Sequence, residues 1–430
     1  MLRKSTQAVR RRTGSKMAMA FVLAGGLVGT AVLSSPAEAQ RSPRQNASDQ
    51  EQRPDYSREF VAVYQPVADI ANSEAGDFAS ARGQLEQVYA VIANDDDRHA
   101  AGSLTLVLGN KLNDPALQRR GLELMLQSGK VAPEQAGQFH FLVGNLAAQA
   151  KDWAAARAAL QAGIDAGYTD NNPQGLIAES YFAEGQAAQG LEYLKGIISQ
   201  RRTAGQEVPE NWVLRGLQIA YNNRLNQQAT DYSAMLIATN PSQSNWAQAL
   251  QVIRAMNDLG PQVQLDLLRL MMATDTLTER SEYVGYIEAA DVRVMSNEVQ
   301  RVLERGIQKG VFTPDDPYYT ETKRSADERA PVDQRDAPGL ADEARAETRG
   351  TAAQSAGDVF FSLADYAQAE AMYALALEKG GVDRDRNLTR LGIAQVLQGK
   401  RAEASATFEQ VSGPRAPVAR MWAAYADSDA

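Results

Sequence analysis

The chain has no cysteine and two histidines, His99 and His140. That removes thiolate chemistry, disulfides and any multi-histidine zinc site, and leaves at most two imidazoles for acid–base work. His140 falls at a helical position that packs between elements, so it reads as a core or groove-edge residue. His99 follows an acidic turn and reads as exposed. Carboxylates are plentiful, but their spacing lacks metal chemistry. Asp383-Arg384-Asp385-Arg386-Asn387 begins like a calcium loop, yet Leu388 stands where the loop needs glycine and Ala394 where it needs a bidentate Glu. It reads instead as a turn that caps a helix. Asp95-Asp96-Asp97 reads as a solvated turn and cap, and Asp315-Asp316 with Tyr318-Tyr319 as a solvated linker. No phosphate loop, no G-x-S-x-G elbow and no H-E-x-x-H occurs. The expectation is a chain with no catalytic residue, no metal and no cofactor.

The first 39 residues read as a targeting segment. Arg3, Lys4, Arg10, Arg11, Arg12 and Lys16 precede an apolar run from Met17 to Leu33, and Ala37 and Ala39 supply an A-x-A cleavage site. The run is short for a spanning helix and holds three glycines, so a signal peptide cut after Ala39 is expected. Thr13-Gly14-Ser15 after the arginines favours general secretion over the twin-arginine route. The formal charge of the chain is -9; cleavage removes six bases and one acid, a net +5, and leaves -14. So acidic a chain repels phosphate backbones and anionic lipid, which argues against nucleic-acid binding and adsorption to anionic membranes, and no later segment is apolar enough to span a bilayer after cleavage. The expected location is periplasmic or secreted.

Residues 40–56 are polar and read as a disordered leader. From 57 to 310 nearly every segment has helical period, with breakers every 15 to 20 residues that imply antiparallel helix pairs. Residues 311–339 are Pro-rich and charged and read as a disordered or extended linker. Helical pattern returns over 340–430, ending in a closing helix at 416–426.

A repeat of about 34 residues runs through both helical regions. Val143-Gly144 is followed by Lys151-Asp152-Trp153, Ala156 and Leu160, and Ile177-Ala178 by Gly185, Gly190 and Leu194. Ala356-Gly357, Phe360, Asp365-Tyr366, Ala369, Tyr373 and Ala376 repeat the order, as do Leu391-Gly392, Gly399, Ala404 and Phe408. Small residues let two helices approach, a large one fills the gap between units, and a Gly or Asp makes the turn. This resembles the tetratricopeptide repeat (TPR) family, most clearly over 350–411 and 135–200, and the layout resembles exported bacterial TPR proteins. The resemblance implies an all-α fold: a TPR-like right-handed superhelical solenoid of eight or nine antiparallel helix pairs, split by the linker into an N-terminal array and a C-terminal pair.

It also implies a concave groove that holds a protein or peptide partner. First-helix positions supply the candidate groove residues Asn145, Tyr181, Arg215 and Asn222. The Lys/Asn clamp by which some TPR arrays take a peptide carboxylate is incomplete here, with Phe141 and Leu176 at two of its positions. The acidic chain favours a neutral-to-basic partner, and oligomeric state is left open. The functional expectation is a non-enzymatic binding scaffold of the bacterial cell envelope. The rival is a hydrolase of envelope polymers with a carboxylate pair housed in the solenoid.

Overall fold

A computed structural model describes residues 54–428, and within them the chain is helical from end to end with no strand. The expected signal segment, and the leader up to residue 53, lie outside the described residues. Five hairpins open the array: α1 (Arg58–Asn72) with α2 (Phe78–Ala90), α3 (Asp95–Lys111) with α4 (Pro115–Gln127), α5 (Pro133–Gln149) with α6 (Trp153–Asp165), α7 (Pro173–Ala183) with α8 (Ala187–Thr203), and α9 (Glu210–Asn222) with α10 (Asn226–Thr239). Then come α11 (Gln243–Met256) with α12 (Pro261–Ala273), and α13 (Arg280–Ala290) with α14 (Ser296–Gln308). A long helix, α15 (Pro317–Ala346), leads into α16 (Thr351–Ser362) with α17 (Tyr366–Lys379) and α18 (Arg384–Leu397) with α19 (Arg401–Phe408). A 3-10 turn, Gly413–Arg415, starts the final helix, α20 (Ala416–Asp427). The protein is an all-α helical-repeat solenoid.

Two recurring devices build the pairs. The first is a glycine on the first helix facing a large side chain sixteen residues further on: Gly144 with Leu160, Gly216 with Tyr232, Gly357 with Tyr373, and Gly392 with Phe408. A Cβ at Gly357 would stand 2.7 Å from the Tyr373 ring and one at Gly392 2.5 Å from the Phe408 ring, so only glycine admits the close approach. The second device is the turn. The chain takes a left-handed residue two places before the second helix, at Asn113, Lys151, Gly185, Arg224, Ala364 and Gly399. The next residue is often a capping aspartate: Asp152 accepts from the Ala155 N–H and Asp365 from the Gln368 N–H.

Residues 311–339 are not a linker. Pro317 opens α15 at its first turn, where a missing N–H costs nothing, and the helix runs through Pro331 and Pro338. Its packed face is made of Ala326, Ala330, Ala337, Ala341 and Ala344 with Asp333, against α14 and α16. Small residues at heptad-like spacing form the seam, so the segment buries a face while carrying almost no aliphatic side chains. Nor does the segment divide the fold. One core runs from Ala234 to Ala426 without a break at 311–339. The last residues of the expected leader are held too: the Asp55 N–H donates to Asp96 and the Asp55 carbonyl accepts from Asn94.

The C-terminal helix sets the architecture of the second half. α20 packs on α10, α11 and α12 as well as on α18 and α19. Trp246 on α11 meets Tyr425 edge-on at 5.9 Å, and Trp246 and Trp422 are both buried. The run from α10 to α20 thus returns to its own start, a closed circuit of helices, while α1 to α9 extend from it as an open array.

Candidate functional site

The candidate groove residues sit on the first helices of three successive hairpins. Asn145 is half-buried on α5 and Asn222 exposed at the end of α9; among the described residues neither side chain has a hydrogen-bond partner. Tyr181, half-buried on α7, is covered by the Arg157 guanidinium at 4.2 Å and leans on Tyr193. Arg215 on α9 is gripped by Glu179 of α7 through two bonds, Nε to Oε1 at 2.7 Å and Nη2 to Oε2 at 2.8 Å, and lies 5.8 Å from the Phe182 ring. That pair holds the Arg215 charge in place and raises its pKa further. The Glu179–Arg215 pair laces α7 to α9. Tyr221, beside Asn222, is among the few large apolar side chains left exposed, at 46%.

The remaining sequence candidates are structural. Asp97 is buried, not solvated: it accepts from the Ser57 N–H at 3.0 Å, the Ser57 hydroxyl at 2.8 Å and the Ala93 N–H at 3.1 Å, tying α1 to α3. Asp383 caps α18 and Asp316 caps α15. His99 contacts the Ser128 hydroxyl at 3.3 Å, and burial lowers the pKa of both His99 and His140. Among the described residues no group of three or more His, Asp or Glu is placed to hold a metal, and no helix is long and apolar enough to cross a membrane.

The most heavily built polar site lies elsewhere, at the centre of the closed circuit. Arg269 on α12 donates to Asp266 Oδ1 at 2.9 Å and, in a fork, to both oxygens of Glu298 on α14 at 2.8 Å. The Tyr286 hydroxyl adds a third donor to Glu298. The other Asp266 oxygen accepts from Arg415 at 2.6 Å. Arg390 on α18 reaches Asp358 on α16 and Gln262 on α12. Tyr373 and Arg386 complete Asp358, each at 2.7 Å. Asp266 and Arg390 are fully buried. Burial pushes the Asp266 carboxyl up, but Arg390, Arg269 and Arg415 outweigh it and hold its pKa below the usual carboxylate range. Glu298 is lowered in the same way, against its own burial, by Arg269 and Tyr286.

Sequence reasoning missed this hub because its partners are far apart in the chain. One signal was present. Asp266 and Arg269 interrupt a run of leucines in α12, VQLDLLRLMM, that is apolar on all sides. A charge pair three residues apart in such a helix must be buried and must find partners.

No protein-family model matches the chain, and no curated protein matches it. Among solved structures it is similar to the C-terminal part of a TPR repeat-containing protein from Cytophaga hutchinsonii, at 13% identity over 76% of this chain and 97% of that one, with a TM-score of 0.28. It is similar to the TPR2AB domain of yeast Sti1 in its complex with pHSP90, at 14% identity over 68% of this chain and 92% of that one, TM-score 0.23. It is also similar to the structure of Naa15/Naa10 bound to HypK-THB, at 12% identity over 84% of this chain and 65% of that one, TM-score 0.32. The fold class rests on the helix pairs themselves: an all-α solenoid whose hairpins follow the TPR pattern of small and large residues.

Proposed function

We propose that the protein is a non-enzymatic scaffold of the bacterial cell envelope that holds a protein or peptide partner along the face formed by α5, α7 and α9. The observation that carries this reading is the open array itself. Three successive first helices present Asn145, Tyr181, Arg215 and Asn222, with α7 and α9 laced by the Glu179–Arg215 pair and Tyr221 exposed beside them. A row of amide, aromatic and guanidinium groups on rigid helices suits recognition of an extended or helical peptide. The acidic chain, -9 overall, suits a neutral-to-basic partner. Export rests on the basic, apolar and small-residue order of residues 3–39. The rival hydrolase reading needs one carboxyl group with a raised pKa to act as acid. Asp266 and Glu298 of the central hub are both shifted the other way.

The double substitution N145A with R215A tests the reading. Capture of envelope proteins by the mature chain should drop while the helical circular-dichroism signal stays unchanged. Equal capture by the variant would contradict it. So would turnover of an envelope polymer that persists through purification.

A further inference from the structure

A cavity of about 320 Å³ opens beside the central hub. Its wall draws on α12, α13, α14, α16, α17, α18 and α20, so the cavity exists only while the circuit is closed. The apolar part is Met272, Ala273, Val302, Phe361, Leu397 and Trp422. Leu397 is 37% exposed, one of the few large apolar side chains not covered by the fold. Two polar groups at the cavity have unused capacity. Arg301 donates Nη1 to the Ser362 carbonyl at 2.6 Å, a neutral acceptor, and among the described residues no carboxylate forms an ion pair with it. The Tyr366 ring stands edge-on to Phe361 at 5.3 Å, and its hydroxyl has no hydrogen-bond partner among the described residues. Both groups line the same cavity; burial raises the Tyr366 pKa, with Arg301 and Arg269 pulling against it and Glu298 adding to it, so the hydroxyl is a neutral donor.

The charged residues of the wall are Arg269, Arg301 and Arg305 against Glu298 and Glu304. Arg269 is taken by Glu298 and Arg305 by Asp275, which leaves Arg301 as the wall guanidinium with no carboxylate ion pair among the described residues. Glu304, also in the wall, limits the ligand to a single negative charge. The volume is at the low end of the roughly 300–1,000 Å³ typical of ligand sites, which suits a molecule of amino-acid size and not a peptide.

We propose that this cavity binds a small monocarboxylate with an aromatic or branched apolar body. The carboxylate is taken by the Arg301 guanidinium and the Tyr366 hydroxyl, and the body lies against Phe361, Leu397 and Met272. The site is independent of the peptide-groove reading.

Titration calorimetry on the full chain tests it with three probes of one shape: 3-phenylpropionate, 3-phenylpropan-1-ol and 2-phenylethylamine. The acid should bind, with the alcohol and the amine weaker by roughly tenfold or more. R301M should weaken the acid by roughly tenfold and leave the alcohol unchanged. R301M also loses the bond to the Ser362 carbonyl, so a small drop in melting midpoint is expected, and unchanged alcohol binding shows that the cavity is intact. Y366F, which removes only the hydroxyl, should weaken the acid by about threefold to tenfold. The proposal is overturned if the acid shows no binding at about 10 mM, if the alcohol or amine binds as tightly as the acid, or if both variants bind the acid like the parent.

Discussion

Arg415 and Asp266 stand 149 residues apart in the chain and 2.6 Å apart in space. That contact, with Trp422 donating its indole N–H to the Asp266 carbonyl at 2.8 Å, fastens the C-terminal helix to α12 and closes the second half of the solenoid. Asp266 is the common partner of Arg269, Arg390 and Arg415; removing its charge leaves buried Arg415 without a counter-ion and Arg269 and Arg390 with only Glu298 and Asp358.

D266N is therefore expected to destabilise the protein by about 3–5 kcal/mol, the usual cost of breaking a buried ion pair from one side. Urea unfolding followed by circular dichroism measures it. A loss below about 1 kcal/mol would show that the hub is not a stabilising centre.

Deleting residues 416–430 should reopen the circuit. Trp246, buried beneath Tyr425, would then face water, and the backbone of α10 to α12 would lose its cover. Hydrogen exchange is expected to speed up in α10, α11 and α12 while α1 to α6 keep their protection. Uniform exchange across the whole chain would contradict a local closure.

Acid should weaken the fold in two stages. His99 and His140 have lowered pKa values in the folded protein, so the unfolded chain binds their protons more readily. Their contribution is present above the ordinary histidine value of about 6.5 and declines as pH falls below it. Asp266 and Glu298 are lowered as well. Their contribution is intact above the ordinary carboxylate range near 4 and is lost as pH falls through their folded values. Melting midpoints should fall gently from pH 7 to 5 and steeply below about 4. E298Q should flatten the steep part.

Ala364 sits at φ 60 in the turn before α17, where the equivalent turn before α19 uses Gly399. A side chain there costs about 1–2 kcal/mol, partly offset by the greater backbone entropy of glycine. A364G should thus stabilise the protein by about 0.5–1 kcal/mol. A lower melting midpoint for A364G would mean that the turn relaxes differently.

The helix pairs were legible from sequence because their cause is local. Gly357 and Tyr373, or Gly392 and Phe408, carry fixed spacing and contrasting size, and each pair packs as that spacing requires. α15 was not legible because its buried face is alanine at 326, 330, 337, 341 and 344, which adds little apolar bulk to a segment marked by Pro331, Pro338 and many charges. Charge density concealed a packing face that depends on small side chains. The hub was not legible for a different reason: Asp266, Arg390 and Arg415 meet only after the helices between them are in place. The repeat pattern placed the candidate residues Asn145, Tyr181, Arg215 and Asn222 on first helices, where they are found. That Arg215 is already paired with Glu179, and Tyr181 covered by Arg157, required coordinates.

Site-specific photocrosslinking tests the scaffold account most directly. A crosslinking amino acid would replace Asn145 or Asn222 on the first helices, and Gln161 on the second helix α6 as the opposing position, in the protein expressed in its native cells. The account predicts discrete crosslinked products from positions 145 and 222 and none from 161. Products from 161 alone, or none from any position, would contradict it.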